Sequence, residues 1–395
     1  MLTARYAVVQ SSYWSAFCLI VNFASVYLLA HGLSNAQIGM MLAVAGAVAT
    51  VVQPVAAGFV DRSRLPLRLW IVLGGVVLAA LTAALLPQGG GLLVGLTYGL
   101  LVASIQVVQP LVNSLGMAAI SRGFRVNFGV ARASGSLAFA LVSVGAGALV
   151  AATSAKVLLL LIAAVVAVFI GGAVTFAPRS PIDAQTPGGP SSAAGPADGA
   201  TAAEARGPAP LGRREWLLFA VLLGGLTLGM TSHMVINTFL FQIVDFHGGD
   251  ATAMGLAMMI AAMVELPTMV FFDRIVARWT PGTLLVVGVV GFAVKNLAAW
   301  LAPNLAVVLL SQLLQFASFA VVIPGMVYYV DRLFPAELRV RGQAYMTMTL
   351  SAGTVVGALI GGVVLDAAGV PTLLLVGTVV ATAGAALVWV GADRR

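Results

Sequence analysis

Long apolar runs separated by short polar connections make up most of the chain. A helix crosses the hydrocarbon core of a bilayer with about 20 mainly apolar residues, and each run has roughly that length. The apolar positions are continuous and lack the alternation of membrane β-strands, so we predict helices throughout. Twelve runs are predicted, at residues 6–30, 36–60, 68–87, 91–118, 127–152, 156–177, 215–243, 251–272, 281–301, 304–330, 343–365 and 371–391.

Basic residues mark one side of the membrane. They cluster at both termini and in the connections after runs 2, 4, 6, 8 and 10, while the alternate connections contain only Lys156. Cytoplasmic loops are enriched in Lys and Arg. We therefore predict a multi-pass protein of the plasma (inner) membrane, with both termini and the even-numbered connections in the cytoplasm. The first run is too long for the apolar core of a signal peptide, so it is predicted to be a retained helix.

Composition excludes several classes of protein. Apolar residues are 61% of the 395 and charged residues are 8%, against about 25% charged in soluble domains, which indicates an integral membrane protein. The net charge of +7 lies in short loops, so we expect the bilayer but no nucleic acid as a partner. One cysteine, Cys18, excludes an internal disulfide. The sequence lacks phosphate loops, nucleophile elbows and metal-binding His pairs, so we expect no enzyme, no cofactor and no direct use of ATP.

The chain divides into two similar halves. Residues 179–213 are rich in Pro, Gly, Ala and Ser, a composition that forms no core and predicts a flexible cytoplasmic linker. An Asp-Arg pair ends run 2 and another ends run 8, as expected of parallel repeats in a transporter. We predict a six-helix bundle at residues 1–178, the linker, and a second six-helix bundle at residues 214–395.

Three charges lie inside the apolar runs. Arg132 lies about one and a half turns inside run 5, Glu265 lies in run 8 and Lys295 lies in run 9. A charge at membrane depth is costly unless it is paired, faces water or snorkels. Glu265 and Lys295 differ in depth by about 6 Å at 1.5 Å per residue, so an ion pair between them is feasible. The alternatives are a purely structural pair and, for Arg132, a side chain that snorkels to the headgroups.

Polar side chains recur on single helical faces. Spacings of three, four and seven residues place them on one side of a helix. Such faces indicate a hydrogen-bonding cavity for a polar solute or, alternatively, hydrogen bonds between helices. The cavity is favoured for Gln106, Gln109 and Asn113 in run 4, for His233 and Asn237 in run 7, and for Gln315 in run 10. His233 lacks a second His or Cys at suitable spacing, so we expect no metal site.

Three stretches carry a family resemblance. They are residues 127–135, with Phe128, Gly129, Arg132 and Gly135 in the pattern Phe/Tyr-Gly-x-x-Arg-x-x-Gly, Glu265-Leu266-Pro267 followed by Arg278 and Lys295, and residues 333–343. The chain resembles the major facilitator superfamily and, within it, the lactose-permease-like proton symporters of oligosaccharides and nucleosides. The resemblance implies an all-α membrane protein with twelve transmembrane helices in two six-helix bundles. It also implies inter-helix gating contacts at Asp61, Arg62, Asp273 and Arg274.

The sequence departs from that branch at several positions. Ala57 stands where a Gly is usual, Asn113 where a carboxylate is frequent, and Gln315 and Ser318 where lactose permeases carry a His and a Glu. Glu265 is the only acidic residue deep in a run. A carboxylate in low dielectric holds a proton readily, so Glu265 is the expected proton carrier, with Lys295 and Arg132 as its charge partners.

The resulting hypothesis is a monomeric secondary transporter with alternating access. It imports a sugar, oligosaccharide or nucleoside-like small molecule together with protons. One alternative is an exporter of hydrophobic compounds by proton antiport, which the Met residues of run 8 favour. The other is a membrane sensor that binds its ligand without transport.

The topology can be tested by labelling. Cysteines introduced at Ser192, in the linker, and at Gly89, between runs 3 and 4, are expected to react with impermeant maleimide from opposite sides of the membrane. The measurement is labelling of intact and permeabilised cells. Reaction of both cysteines from the same side would contradict the twelve-helix prediction.

Overall fold

A computed structural model of the chain describes most of it. The described residues are 2–87, 91–176, 212–335 and 338–393. The regular structure in these ranges is helical. Several sequence predictions lie outside the described residues: linker residues 179–211, the labelling positions Gly89 and Ser192, and Ala336-Glu337 of the third motif.

The helices follow the predicted runs to within a few residues. They are α1 (Leu2–Phe17), α2 (Ala24–Ala30), α3 (Asn35–Arg62), α4 (Leu67–Leu85), α5 (Leu92–Ser121), α6 (Phe128–Ala152), α7 (Val157–Thr175), α8 (Arg213–Thr238), α9 (Leu240–Phe246), α10 (Ala251–Val270), α11 (Phe272–Val276), α12 (Pro281–Trp300), α13 (Leu305–Ser311), α14 (Phe319–Leu333) and α15 (Arg339–Gly391). The agreement arises because continuous apolar sequence in lipid satisfies its backbone only as a helix.

The number of membrane crossings depends on two bends. Ten described helices are long and apolar enough to cross a membrane. An eleventh crossing is formed if α1, which a π-helical turn at Cys18–Asn22 extends, is counted together with α2, which it meets at 44°. The last helix, α15, has 53 residues. At 1.5 Å per residue it would extend about 80 Å, more than twice the hydrocarbon core. It consists of two helices that meet at Gly369, whose φ of 75° suits a residue without Cβ.

One crossing is broken in the middle. Between α13 and α14 the chain forms a 3₁₀ turn at Gln312–Ala317. Such a turn inside a longer helix is tighter than the α form and often accompanies a functional position. Gln315 lies in this turn and is 4% exposed.

The two halves meet along two pairs of helices. The first half contributes α3 and α6, which pack against α15 and α10 of the second half. Small residues make the second contact close: Gly147 lies against the backbone of Ala251, and Gly255 lies against the backbone of Ser143. A Cβ at either glycine would overlap the opposing backbone, so the close approach requires glycine. The Ser143 hydroxyl donates to the Gly255 carbonyl at 3.0 Å.

Hydrogen bonds between the halves gather at one end of the molecule. Asp366 of α15 accepts from the backbone N–H groups of Asn35 and Ala36 at 3.1 and 2.8 Å, and from Asn35 Nδ2 at 2.8 Å. Gln242 of α9 donates to Asn35 Oδ1 at 2.8 Å. The carboxylate therefore covers the N-terminus of α3, where unpaired N–H groups and the helix dipole favour an anion. This end holds the connection between runs 1 and 2, predicted to be extracytoplasmic.

We expect Asp366→Ala to loosen this end. An anion at an exposed helix N-terminus contributes about 0.5–1 kcal/mol, so the open population should rise a few-fold. Spin labels at Met40 and Val363, both exposed on α3 and α15, measure the separation. The control is Asp245→Ala, on α9 near the same end. An unchanged distance distribution in Asp366→Ala would show that the carboxylate does not hold the halves together.

Candidate functional site

A chain of three side chains links the buried charges of the second half. Lys295 of α12 is 1% exposed, and its Nζ donates to Gln315 Oε1 at 2.7 Å. Gln315 Nε2 donates in turn to Glu265 Oε1 at 2.8 Å. Within the described ranges Lys295 and Glu265 form no direct salt bridge, so the ion pair that the sequence made feasible is replaced by an amide bridge.

The orientation of the Gln315 amide follows from the two charges. The ammonium group offers only donors and the carboxylate only acceptors, so the carbonyl oxygen faces Lys295 and the NH₂ group faces Glu265. Both hydrogen bonds involve a charged group, the class that is stronger than neutral pairs. The 3₁₀ turn brings Gln315 between α10 and α12, a placement that helical periodicity does not predict.

Arg132 occupies the first half. Its guanidinium carbon lies over the indole of Trp14 at 4.1 Å from the ring centroid, and Nη1 donates to Ser136 Oγ at 3.0 Å. The distance is that of a cation–π contact. Arg132 is half-buried and lies about one turn after the start of α6. Asn127 caps the N-terminus of this helix by accepting from the N–H of Val130. It packs on α1, which the sequence alone did not indicate.

A hydrogen-bonded series extends from Trp14 to α5. Trp14 Nε1 donates to Gln10 Oε1 at 3.1 Å, and Gln10 Nε2 donates to Tyr6 Oη at 2.7 Å and to Asn113 Oδ1 at 3.3 Å. The Tyr6 hydroxyl donates to the Val112 carbonyl at 3.0 Å. Gln10 and Trp14 were missed by the sequence analysis. The signal that was available is their spacing of four residues, which puts a Gln and a Trp on one face of run 1.

The charges of the two halves act on each other. Coulombic interaction joins Glu265 to Arg132 across the halves, as well as to Lys295 within its own half. Glu265 and Lys295 thus belong to one hydrogen-bonded chain in the second half, and Arg132 in the first half interacts with Glu265 only electrostatically among the described contacts.

The predicted solute-binding residues differ in accessibility. Gln106 and Gln109 are half-buried on α5, and Gln106 Nε2 donates to the Val102 carbonyl of its own helix at 3.3 Å. On α8, His233 is 2% exposed and lies between the rings of Phe292 and Phe319, with centroids 4.9 and 4.8 Å away.

Asn237 is half-buried next to His233, and its Nδ2 lies 2.7 Å from His233 Nε2. His233 Nε2 therefore has a protein partner already, whereas His233 Nδ1 is buried without a hydrogen-bond partner among the described residues. Asn113 accepts from Gln10, and Gln315 is held between two charges, so both have protein partners already.

The predicted gating charges lie at the end opposite Asp366. Asp61 and Arg62 are exposed at the end of α3. Asp273 accepts a short hydrogen bond from the Tyr328 hydroxyl of α14, and the Arg274 guanidinium lies 5.1 Å from the Phe271 centroid. The interactions of the second Asp-Arg pair are thus with neighbours in its own half.

The chain has membrane-length helices in two packed halves and buried charges in each half, which is typical of membrane transporters of the major facilitator type. The chain belongs to the MFS_1-like family, whose model matches residues 4–375. It is 28% identical over 360 residues to the maltose permease of Geobacillus stearothermophilus, covering 89% of this chain and 84% of the permease.

Solved structures share the fold. The nucleoside transporter NupG matches with a TM-score of 0.76 and 14% identity, covering 99% of this chain and 98% of that one. An auto-inhibited POT family peptide transporter matches with a TM-score of 0.69 and 11% identity, covering 99% and 96%. The chain therefore has the all-α major facilitator fold that the resemblance implied, with ten or eleven candidate crossings among the described residues against the twelve predicted.

The contribution of the Lys295–Gln315–Glu265 hydrogen bonds to stability can be tested by thermal unfolding. Lys295→Met leaves Glu265 and Gln315 without their cation, and removal of one partner of a buried pair costs about 3–5 kcal/mol. We expect a large fall in the unfolding temperature of the purified protein, largely recovered when Glu265→Gln is added. Lys156→Met, at an exposed lysine, is the control. A double variant as unstable as Lys295→Met would contradict a role for this charge pair in stability.

Proposed function

We propose that this transporter imports a sugar, oligosaccharide or nucleoside-like solute together with protons. The observation that carries the proposal is the Lys295–Gln315–Glu265 chain of one half, facing Arg132 of the other. The sequence similarity of the protein to a maltose permease and its structural similarity to a nucleoside transporter support the solute class.

Glu265 is the proton carrier in this proposal. When ionised, it attracts Arg132 across the halves and accepts from Gln315. Protonation removes the negative charge, so the attraction between the halves ends while the amide stays bound to Lys295. The protonation state of Glu265 therefore shifts the equilibrium between the conformation open to the cytoplasm and the conformation open to the opposite side.

The solute lies between the halves in this proposal. Gln106, Gln109 and Asn113 contribute from α5, His233 and Asn237 from α8, and Gln315 from the 3₁₀ turn. Hydroxyl groups of the solute suit these amides because each amide offers both a donor and an acceptor. Asp61, Arg62, Asp273 and Arg274 act as gating charges at the end opposite Asp366. The bundles are residues 1–178 and 214–395, with residues 179–213 as cytoplasmic linker.

In this proposal, the contacts at the Asp366 end identify which conformation of the transport cycle the structure represents. With the connections after even-numbered runs in the cytoplasm, the Asp366 contacts close the extracytoplasmic face of a plasma-membrane protein. The structure then corresponds to the state that exchanges solute with the cytoplasm. Export of hydrophobic compounds is the second candidate, favoured by the exposed Met263 and Met269 of α10, whereas Met254 and Met258 are buried in the core.

The test is transport by purified protein in liposomes. Glu265→Gln keeps the shape and removes ionisation, so we expect proton-driven accumulation of radiolabelled maltose or uridine to fall to the level of empty liposomes. Counterflow, which needs no net proton movement, should remain partly intact. Glu215→Gln, an exposed N-terminal position of α8 where Gln also caps, should behave as wild type. Full proton-driven accumulation by Glu265→Gln would refute the assignment.

A further inference from the structure

A proline interrupts the helix that carries the polar face of the first half. Pro110 lies inside α5, directly after Gln109. Because proline has no N–H, the carbonyl of Gln106, one helical turn earlier, loses the partner that a continuous helix would supply. A main-chain carbonyl without a donor is costly at membrane depth, where no water replaces the donor. The sequence therefore creates a backbone acceptor beside the residues predicted to bind solute.

A side chain of another helix supplies the missing donor. Gln53 of α3 is half-buried, and its Nε2 donates to the Gln106 carbonyl at 2.9 Å. The Gln106 side chain does not replace the lost N–H, since its own Nε2 donates to the Val102 carbonyl at 3.3 Å. Gln53 is followed by Pro54, which interrupts the backbone hydrogen bonds of α3 in the same way. A hydrogen bond thus joins the two helices where both contain a proline.

The second half contains a corresponding contact. Thr268, which follows Pro267 in α10, is buried, and its hydroxyl donates to the Phe316 carbonyl at 3.2 Å. Phe316 is the neighbour of Gln315 in the 3₁₀ turn, where the α-helical backbone pattern is also interrupted. In each half, a side chain beside a helix proline therefore reaches a main-chain carbonyl at a break in another helix.

The helices joined in this way have different roles. The interface between the halves includes α3 and α10, which pack against α15 and α6. The polar residues assigned to the solute lie on the other helices, with Gln106 and Gln109 on α5 and Gln315 in the 3₁₀ turn. Each hydrogen bond therefore connects a helix of the interface to a backbone segment that carries solute-facing amides. The breaks matter because a continuous helix uses its carbonyls internally.

We propose that Gln53 is a positioning residue for solute binding, whose amide fixes the backbone of α5 at Pro110. Gln106 and Gln109 then keep their places while α3 moves against the second half. This inference deepens the proposed function and rests on it for the solute class. Without the Gln53 donor, the helix is free to bend at the proline. The solute would then meet amides in varying positions and would lose affinity, because ordering them is part of the cost of binding.

Binding of maltose and of uridine by the purified protein tests this role. Gln53→Met keeps the length of the side chain and removes the donor, so Kd should rise about fivefold, the effect of one lost hydrogen bond. Thr50→Val is the matched control, since Thr50 lies one turn earlier in α3 and its hydroxyl donates to the Gly46 carbonyl of the same helix. This control should leave Kd unchanged. A Gln53→Met protein with the wild-type Kd would overturn the inference.

Restoring the backbone donor separates positioning from general packing. Pro110→Ala supplies an N–H to the Gln106 carbonyl within α5, so the Gln53 amide is no longer needed there. In that background, Gln53→Met should change Kd by less than about twofold, because the two changes act on one carbonyl. An equal loss of affinity with and without Pro110 would show that Gln53 acts by another route, and would overturn the inference.

The shape of α5 gives a measurement that needs no solute. Spin labels at Leu100 and Met117, exposed on either side of Pro110, report the distance across the proline. Gln53→Met should broaden the distance distribution, and adding Pro110→Ala should narrow it again. Wild-type protein that binds neither maltose nor uridine would refute the solute class of the proposed function, and the spin labels then decide the inference. A distribution that Gln53→Met leaves unchanged would overturn it.

Discussion

The need to compensate charge in a low-dielectric interior governs the centre of this protein. A charged side chain at membrane depth persists only with hydrogen bonds, a counter-charge or water. The second half meets this requirement with an amide between ammonium and carboxylate, and the first half meets it with an aromatic face and one hydroxyl. The ammonium and the carboxylate of the second half balance each other, whereas Arg132 has no carboxylate within ion-pair distance among the described residues. Its electrostatic interaction with Glu265 therefore acts between the two halves.

Much of the fold could be predicted because lipid leaves the backbone few choices. The apolar runs became helices, and the charges at Arg132, Glu265 and Lys295 were visible as exceptions within them. Their partners were not visible. Gln315 reaches both charges because the chain tightens into a 3₁₀ turn, and Trp14 reaches Arg132 because Gly135 admits the ring. Both depend on contacts between helices far apart in sequence, which periodicity along one helix does not specify.

The contacts between the halves differ in kind from those inside each half. Glycine positions on α6 and α10 allow backbone contact, and a single carboxylate covers the start of α3. Such an interface is close because small residues stand where the backbones of the two halves meet. Within each half, by contrast, bulky aromatic residues such as Tyr13, Phe169 and Phe292 are fully buried. This difference suits rigid halves that move relative to each other.

The amide at position 315 also limits what can pass between its neighbours. A glutamine side chain has no proton to give up and no site to hold an extra one in the range where carboxylates and amines titrate. Gln315 is hydrogen-bonded to both Lys295 and Glu265, but it cannot pass a proton from one to the other. In the proposed cycle the proton enters and leaves Glu265 only from the space between the halves. If Glu265 is the single carrier, as proposed, that cycle moves one proton with each solute, and one proton-motive force limits the concentration ratio of the solute.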